Sequence, residues 1–172
     1  MPWERLRKFG SHAVSRYARR VHWEAAFDPD FWLSVMLAVF CGGIIGFERQ
    51  LRGKPAGVRT SALVCVGTFL FVYLSAQVDP NQSDPTRVLG QVVTGVGFLG
   101  AGLILSRDGV TKGVTSAAVI WVLAAIGGAI ALKQGGAAVA IAGVTLLVLT
   151  GVRLVEVTWQ KLRGVLEDPG DD

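Results

Sequence analysis

The chain has 172 residues, of which 51% are hydrophobic and 17% charged, and this balance excludes an average soluble domain. Its net charge of +4 would indicate nucleic acid binding in a soluble protein. Here the cations lie beside long apolar segments, so the expected partner is the lipid bilayer and nucleic acid is discounted. The two cysteines lie inside apolar runs and the two histidines lack other ligands at metal spacing, so no disulfide, metal site or cofactor is expected.

Residues 1–30 form a basic N-terminal segment with apolar side chains at intervals of three and four residues. This spacing predicts an amphipathic helix at the membrane surface, with a frayed basic leader as the alternative. Asp28-Pro29-Asp30 separates the basic residues from the first apolar run, so the segment does not have the pattern of a cleavable signal peptide.

Five continuous apolar runs follow, at about residues 31–47, 61–78, 88–106, 114–132 and 137–155. A bilayer core is crossed by about 20 residues of helix, with a range of about 17 to 25. The runs therefore predict an all-α integral membrane protein with a polytopic membrane domain at 31–156 and a tail at 157–172. Strands are improbable because the runs do not alternate. Asp84 before Pro85 predicts the start of the third helix.

A compact basic loop between the first two runs is the candidate site. Glu48 stands there beside Arg49, and a carboxylate at the edge of a membrane span is costly unless it is paired or reaches water. We therefore predict an ordered ion-pair loop that binds a ligand or a partner; the alternative is a solvated loop that only sets topology. The predicted site residues are Glu48, Arg49, Arg59, Thr60, Arg107 and Asp108.

Six glycines are predicted to pack helices, because glycine is unfavourable in an isolated helix but lets helix backbones approach closely in lipid. For the third run, an unwound substrate-binding segment of a transporter is the alternative. The predicted packing residues are Gly42, Gly46, Gly95, Gly97, Gly100 and Gly102.

Two of the predicted helices begin with similar sequences, residues 57–64 and residues 113–121. Each follows a glycine-bearing run and a basic loop. This similarity predicts a repeated helix-loop-helix, in which the first two runs match the third and fourth. Chance similarity between two glycine-rich hairpins is the alternative.

The distribution of Lys and Arg predicts orientation. The loops at 48–59 and 107–113 and the C-terminal segment carry nine, whereas the loops at 79–87 and 133–136 carry two. This places the first group, including the C-terminus, in the cytoplasm. The basic N-terminal segment would then lie outside, against the rule, unless the first run does not fully cross.

Four motifs together resemble the MgtC/SapB family of bacterial inner-membrane proteins. They are residues 46–49, 54–60, 95–102 and 113–118 with Trp121. The resemblance implies a multi-pass inner-membrane protein linked to growth in low magnesium and, in pathogens, to virulence. Better-known members carry an additional soluble C-terminal domain, and this sequence is expected to be a short form without it.

These observations favour an accessory or regulatory protein that binds other membrane proteins and is compatible with a homo-oligomer. A magnesium or other cation transporter is the alternative, although the five runs contain no Asp or Glu in their interior. An enzyme is not expected, because no nucleophile and base pair is recognisable.

Overall fold

The structure, a computed structural model, describes residues 28–78, 85–107 and 110–166, with side chains for 28–77, 87–106 and 111–151. Most of the predicted N-terminal helix, Asp84, Asp108 and the end of the tail lie outside these ranges. Within them the chain forms five helices and one antiparallel β-hairpin. In chain order these are α1 (Pro29–Leu51), α2 (Val58–Val78), α3 (Pro85–Ala101), β1 (Leu105–Arg107), β2 (Val110–Lys112), α4 (Val114–Ala131) and α5 (Gly135–Leu166).

Three helices are long and apolar enough to cross a bilayer, namely α1, the Val58–Gln77 part of α2, and α4. The described apolar parts of α3 and α5 are shorter, Arg87–Ala101 and Gly135–Gly151. The mostly helical fold is therefore confirmed, and three helices have the length and composition of membrane spans, whereas the number of five crossings stays a prediction.

Helix α1 begins and ends with recognisable caps. The Asp28 carboxylate accepts a hydrogen bond from the backbone N–H of Asp30 at 3.0 Å, and Pro29 occupies the first turn. At the other end, Gly53 (φ 60°) and Lys54 donate to the carbonyls of Gln50 and Arg49, each at 3.0 Å, which is a Schellman motif. The helix thus extends four residues beyond the predicted run 31–47, and Glu48 and Arg49 lie in its last turns rather than in a loop.

The third predicted run, 88–106, is wrong at its C-terminal end. Helix α3 ends at Ala101, and Leu105–Arg107 pairs with Val110–Lys112 as a β-hairpin, although strands were expected to be improbable. Gly113 has φ 92°, and a side chain there would overlap the carbonyl of Leu103. The end of the hairpin therefore lies against the residues that follow α3, a close approach that glycine permits. The apolar character of residues 103–105 did not indicate this turn.

Helix α5 also exceeds its prediction. It begins at Gly135 and continues to Leu166, beyond the predicted run 137–155 and into the predicted tail 157–172. The chain reverses direction between α4 and α5 through a second Schellman motif. In this motif Lys133 has φ 61°, and the N–H of Gln134 donates to the carbonyl of Ala129 at 2.8 Å.

The core lies where α4 meets α1, α2 and α5. Close backbone contact is possible there because of glycine. A Cβ at Gly46 would stand 2.7 Å from the Cα of Val58, and one at Gly127 would overlap the carbonyl of Cys65. The largest fully buried side chains of this core include Phe69, Ile45, Leu123, Ile126, Cys41 and Cys65.

Candidate functional site

Three charged residues at the end of α1, Glu48, Arg49 and Arg52, form the candidate site. The Glu48 and Arg49 residues are only 9% and 4% exposed, and the Arg52 side chain is 21% exposed. They lie together because α1 stays helical to Leu51, which places positions 48 and 52 one turn apart on the same face. We call these three residues the charge cluster.

Arg49 connects α1 to α4. Its Nη2 donates a hydrogen bond to Oγ of Ser116 at 2.6 Å, and Ser116 is 1% exposed in the first turn of α4. Nε of Arg49 has no hydrogen-bond partner among the described residues. A buried guanidinium needs hydrogen bonds such as the one to Ser116, because desolvation of an unpaired guanidinium costs roughly several kcal/mol.

Arg52 connects α1 to α5 and to Glu48. Its Nη1 donates to the backbone carbonyl of Leu149 at 2.8 Å, and its Nε lies 2.6 Å from Oε1 of Glu48. This Nε–Oε1 contact is an ion pair without hydrogen-bond geometry, so neither carboxylate oxygen has a hydrogen-bond partner in the described part of the chain. One carboxylate beside two guanidinium groups leaves the charge cluster with a net positive charge.

The short connection from α1 to α2 is ordered by two polar side chains. Oγ of Ser61 donates to the carbonyl of Ala56 at 2.9 Å, and Oε1 of Gln50 accepts a hydrogen bond of 3.4 Å from the N–H of Val58. Ala56 has φ 63°, so the turn is held in a conformation that is unfavourable for a residue with a side chain. These contacts fix the loop immediately beside the charge cluster.

Only part of the predicted site comes together. Glu48 and Arg49 belong to the charge cluster, whereas Arg59 and Thr60 are exposed at the start of α2. Arg59 makes no ion pair or hydrogen bond with another described residue. Arg107 lies on β1, but its side chain is outside the described set, as is Asp108.

Sequence reasoning did not single out three of the groups that complete the site: Arg52, Ser116 and the carbonyl of Leu149. The first follows Glu48 by four residues, so an i, i+4 pattern indicates it once α1 is extended. Ser116 occurs in a motif noted above, but its role as an acceptor does not follow from the motif. No sequence pattern indicates the role of the Leu149 carbonyl, because every residue has a backbone carbonyl.

The predicted packing glycines divide into three groups. Gly42 and Gly46 lie in close contact with the backbone of α2, and Gly100 is in ordinary contact with Ala117 of α4. In contrast, a Cβ added at Gly95 or Gly97 would meet nothing within 4 Å. These two do not pack helices within the described chain. Gly102 lies in the turn after α3.

A second feature is an open groove of about 650 Å³ between α2 and α3. It forms because α2 packs mainly on α1 and α4, and α3 packs mainly on α4. Its walls are residues between Thr60 and Phe71 on α2 and between Val88 and Leu99 on α3, so it is about 16 Å long. The lining is apolar except for Thr60, Thr68 and Gln91.

The described residues contain no group of three His, Cys, Asp or Glu side chains that could hold a metal ion together. The charge cluster itself contains two guanidinium groups and one carboxylate, which can pair, hydrogen-bond and attract an anion.

Comparison with known proteins identifies relatives over most of the chain. A model of the MgtC family matches residues 35–158. YhiD of Escherichia coli (strain K12), which is provisionally named a magnesium transporter, is 48% identical over 105 residues, covering 57% of this chain and 49% of the relative. Protein MgtC of Brucella abortus (strain 2308) is 49% identical over 90 residues, or 52% of this chain and 37% of the relative.

Protein SrpB of Synechococcus elongatus is 39% identical over 146 residues, which are 74% of this chain and 80% of that protein. In contrast, the chain spans only about half the length of the Escherichia coli relative YhiD. No solved structure matches the chain significantly.

Proposed function

Because the chain belongs to the MgtC family, we propose that it is an accessory protein of magnesium homeostasis in the bacterial inner membrane, where it acts by binding other membrane proteins and catalyses no reaction itself. The family and the names of its relatives support the link to magnesium. The accessory role is supported by the arrangement of charge in the membrane domain.

The observation that carries this role is the use of Glu48. Between residues 31 and 151 it is the one acidic residue on a described helix, and it faces Arg52 at 2.6 Å. Magnesium is usually held by several oxygen ligands, among them carboxylates. A carboxylate that neutralises an arginine bound to α5 is better suited to holding helices together than to passing a divalent cation.

A magnesium transporter is the second candidate, and the name of the Escherichia coli relative favours it. In that case the ion would have to pass without an acidic residue from the interior of the described helices, with backbone carbonyls as its ligands. The turn at Gly102, directly after α3 ends at Ala101, would be the place to expect these carbonyls.

The orientation that we propose places the α1–α2 loop, the β-hairpin and the C-terminus in the cytoplasm. It rests on the nine Lys and Arg residues of these segments against two in the alternate loops. The charge cluster then lies at the cytoplasmic end of the bundle, where it can respond to cytoplasmic partners.

Magnesium flux into sealed proteoliposomes distinguishes the two candidates. We expect purified wild-type protein to give no more uptake than empty vesicles. Glu48→Gln keeps the shape of the side chain but removes its charge, and Lys54→Ala, an exposed cation in the adjacent loop, is the matched control. Uptake by the wild type that falls in Glu48→Gln and persists in Lys54→Ala would make this protein a transporter.

A growth assay supplies the positive readout for the accessory role. In a bacterium that lacks its own copy of the protein and grows poorly in low magnesium, the wild-type chain should restore growth although it moves no magnesium in vesicles. Failure to restore growth by chain that is folded and present in the membrane would count against the proposal.

A further inference from the structure

The groove between α2 and α3 contains hydrogen-bonding groups that the described chain does not use. Thr68 is only 4% exposed and lines the groove, yet its hydroxyl makes no hydrogen bond with another described residue. Gln91, on the opposite wall, is exposed, and its amide is likewise unpaired within the described ranges. Unpaired polar groups at membrane depth are unfavourable because hydrocarbon cannot hydrogen-bond to them.

The groove is also open to the close approach of another helix. Gly67 on α2 and Gly95 on α3 lie about halfway along its two walls, and a Cβ at either position would meet nothing within 4 Å. Small residues of this kind let the backbone of a further helix approach, and polar side chains then hydrogen-bond across the contact. An acyl chain would fill the volume but would leave the Gln91 amide unpaired.

We propose that the groove is occupied by α3 of a second copy of this chain, so that the protein is a two-fold symmetric dimer. A primary amide carries both donors and an acceptor, so Gln91 of one copy can pair with Gln91 of the other across the symmetry axis. Both copies have the same orientation in the membrane, so the axis runs along the membrane normal and the two α3 helices are parallel.

The sequence of α3 fits such a parallel contact. Val88, Gln91, Gly95 and Leu99 all line the groove and follow one another at intervals of three, four and four residues, which is the spacing of a helix–helix seam. Leu99 is 52% exposed. In the dimer its side chain packs on the neighbouring copy. This dimer is independent of the accessory role, since a transporter can have the same contact.

Cysteine cross-linking in native membranes tests the contact directly. We expect Gln91→Cys to form a disulfide-linked dimer on mild oxidation, because the two positions meet at the axis. The matched control is Val144→Cys, which is 62% exposed on α5 and does not line the groove. The wild type provides the background, since Cys41 and Cys65 are buried. Equal cross-linking of Gln91→Cys and Val144→Cys would contradict the proposal.

Energy transfer between labelled copies in liposomes measures the association itself. Gly95→Leu fills the groove and should abolish the dimer, whereas Gly143→Leu on α5, where a Cβ also meets nothing, should leave it intact. Gln91→Leu should weaken association by roughly threefold to twentyfold, as expected for a hydrogen bond between membrane helices.

Three results would overturn the dimer. Wild-type protein that stays monomeric at all densities would do so, as would association that is unchanged in Gly95→Leu. A phospholipid or a foreign helix that copurifies with a monomer and is lost in Gly95→Leu would assign the groove to that occupant instead.

Discussion

At the scale of single residues, the charge cluster distributes its contacts over three helices. Arg49 binds Ser116 on α4, and Arg52 binds both Glu48 on its own helix and a carbonyl of α5. Because both arginines extend from the last turns of α1, that helix end is attached to the bundle at two independent points. The contribution of each can be measured separately.

Removal of Arg52 should destabilise the protein markedly. Arg52→Ala leaves Glu48 buried beside the helix end without the cation that faces it. A fully buried pair broken in this way costs about 3–5 kcal/mol, and we expect about 2–3 kcal/mol here because Arg52 is partly exposed. The measurement is the free energy of unfolding in mixed micelles.

Two controls decide whether the loss belongs to the ion pair. Lys54→Ala removes an exposed cation two residues away and should change the free energy by less than about 0.5 kcal/mol. In the double variant Glu48→Gln/Arg52→Ala, the two effects should fail to add. Additive effects, or equal losses in Arg52→Ala and Lys54→Ala, would show that the contact contributes nothing specific.

How much of this site could be predicted follows from the distances along the chain. A paired Glu48 was predictable because a carboxylate beside an apolar run needs a cation. Its partner Arg52 lies four residues away and is accessible to pattern reasoning. Ser116 lies 67 residues from Arg49, and Leu149 lies 97 residues from Arg52, so only the packing of the helices brings them together.

At the scale of elements, the glycines differ in whether another helix lies against them. Gly42 and Gly46 allow α1 to lie directly on the first turns of α2, and Gly127 allows α4 to lie on the middle of α2. The glycines at 95 and 97 of α3 have open space instead. The sequence shows where glycine occurs, but the neighbour of each one depends on which helices pack together.

This difference predicts opposite effects for two similar substitutions. Gly46→Ala should destabilise the protein by about 1–3 kcal/mol, because its methyl group would stand 2.7 Å from the backbone of Val58. Gly97→Ala should be neutral or stabilising by up to about 1 kcal/mol, because alanine favours the helix and nothing opposes it. Unfolding in mixed micelles checks both, and a similar loss in the two variants would contradict the packing described for α1 and α2.

The connections were the least predictable elements. The loop from α1 to α2 and the β-hairpin before α4 both follow apolar helices, and both precede a glycine with a similar helix start. The buried Ser61 lies four residues after Gly57, whereas the buried Ser116 lies three residues after Gly113, so the two helix starts match only when the extra Arg59 is left out. The connections themselves differ, because only the second forms strands, so the repeat stays a prediction.

At the scale of the whole molecule, the order of the helices determines which loops share a side of the membrane. If all five helices cross, the α1–α2 loop and the β-hairpin lie on one side, and the turn between α4 and α5 lies on the other. Lys54, Lys112 and Lys133 are exposed in these three connections and provide sites for a labelling experiment.

Labelling should separate the three lysine positions into two classes. Cysteines at Lys54→Cys and Lys112→Cys should react with a membrane-impermeant maleimide only in inside-out vesicles, and Lys133→Cys only in intact cells. The native cysteines are buried at 1% and 0% exposure, so the wild type gives the background. Reaction of all three from the same side would show that α4 does not cross or that the proposed arrangement is wrong.

The charge cluster also has a consequence for biosynthesis. The ribosome makes Leu149 97 residues after Arg52, which at about 5–20 residues per second is a delay of roughly 5 to 20 s. During this interval the Arg52 guanidinium lacks its contact with α5, whereas Ser116, the partner of Arg49, has already been made. A nascent chain that stops before α5 therefore differs from a finished one by an Arg52 guanidinium that is not yet attached to α5.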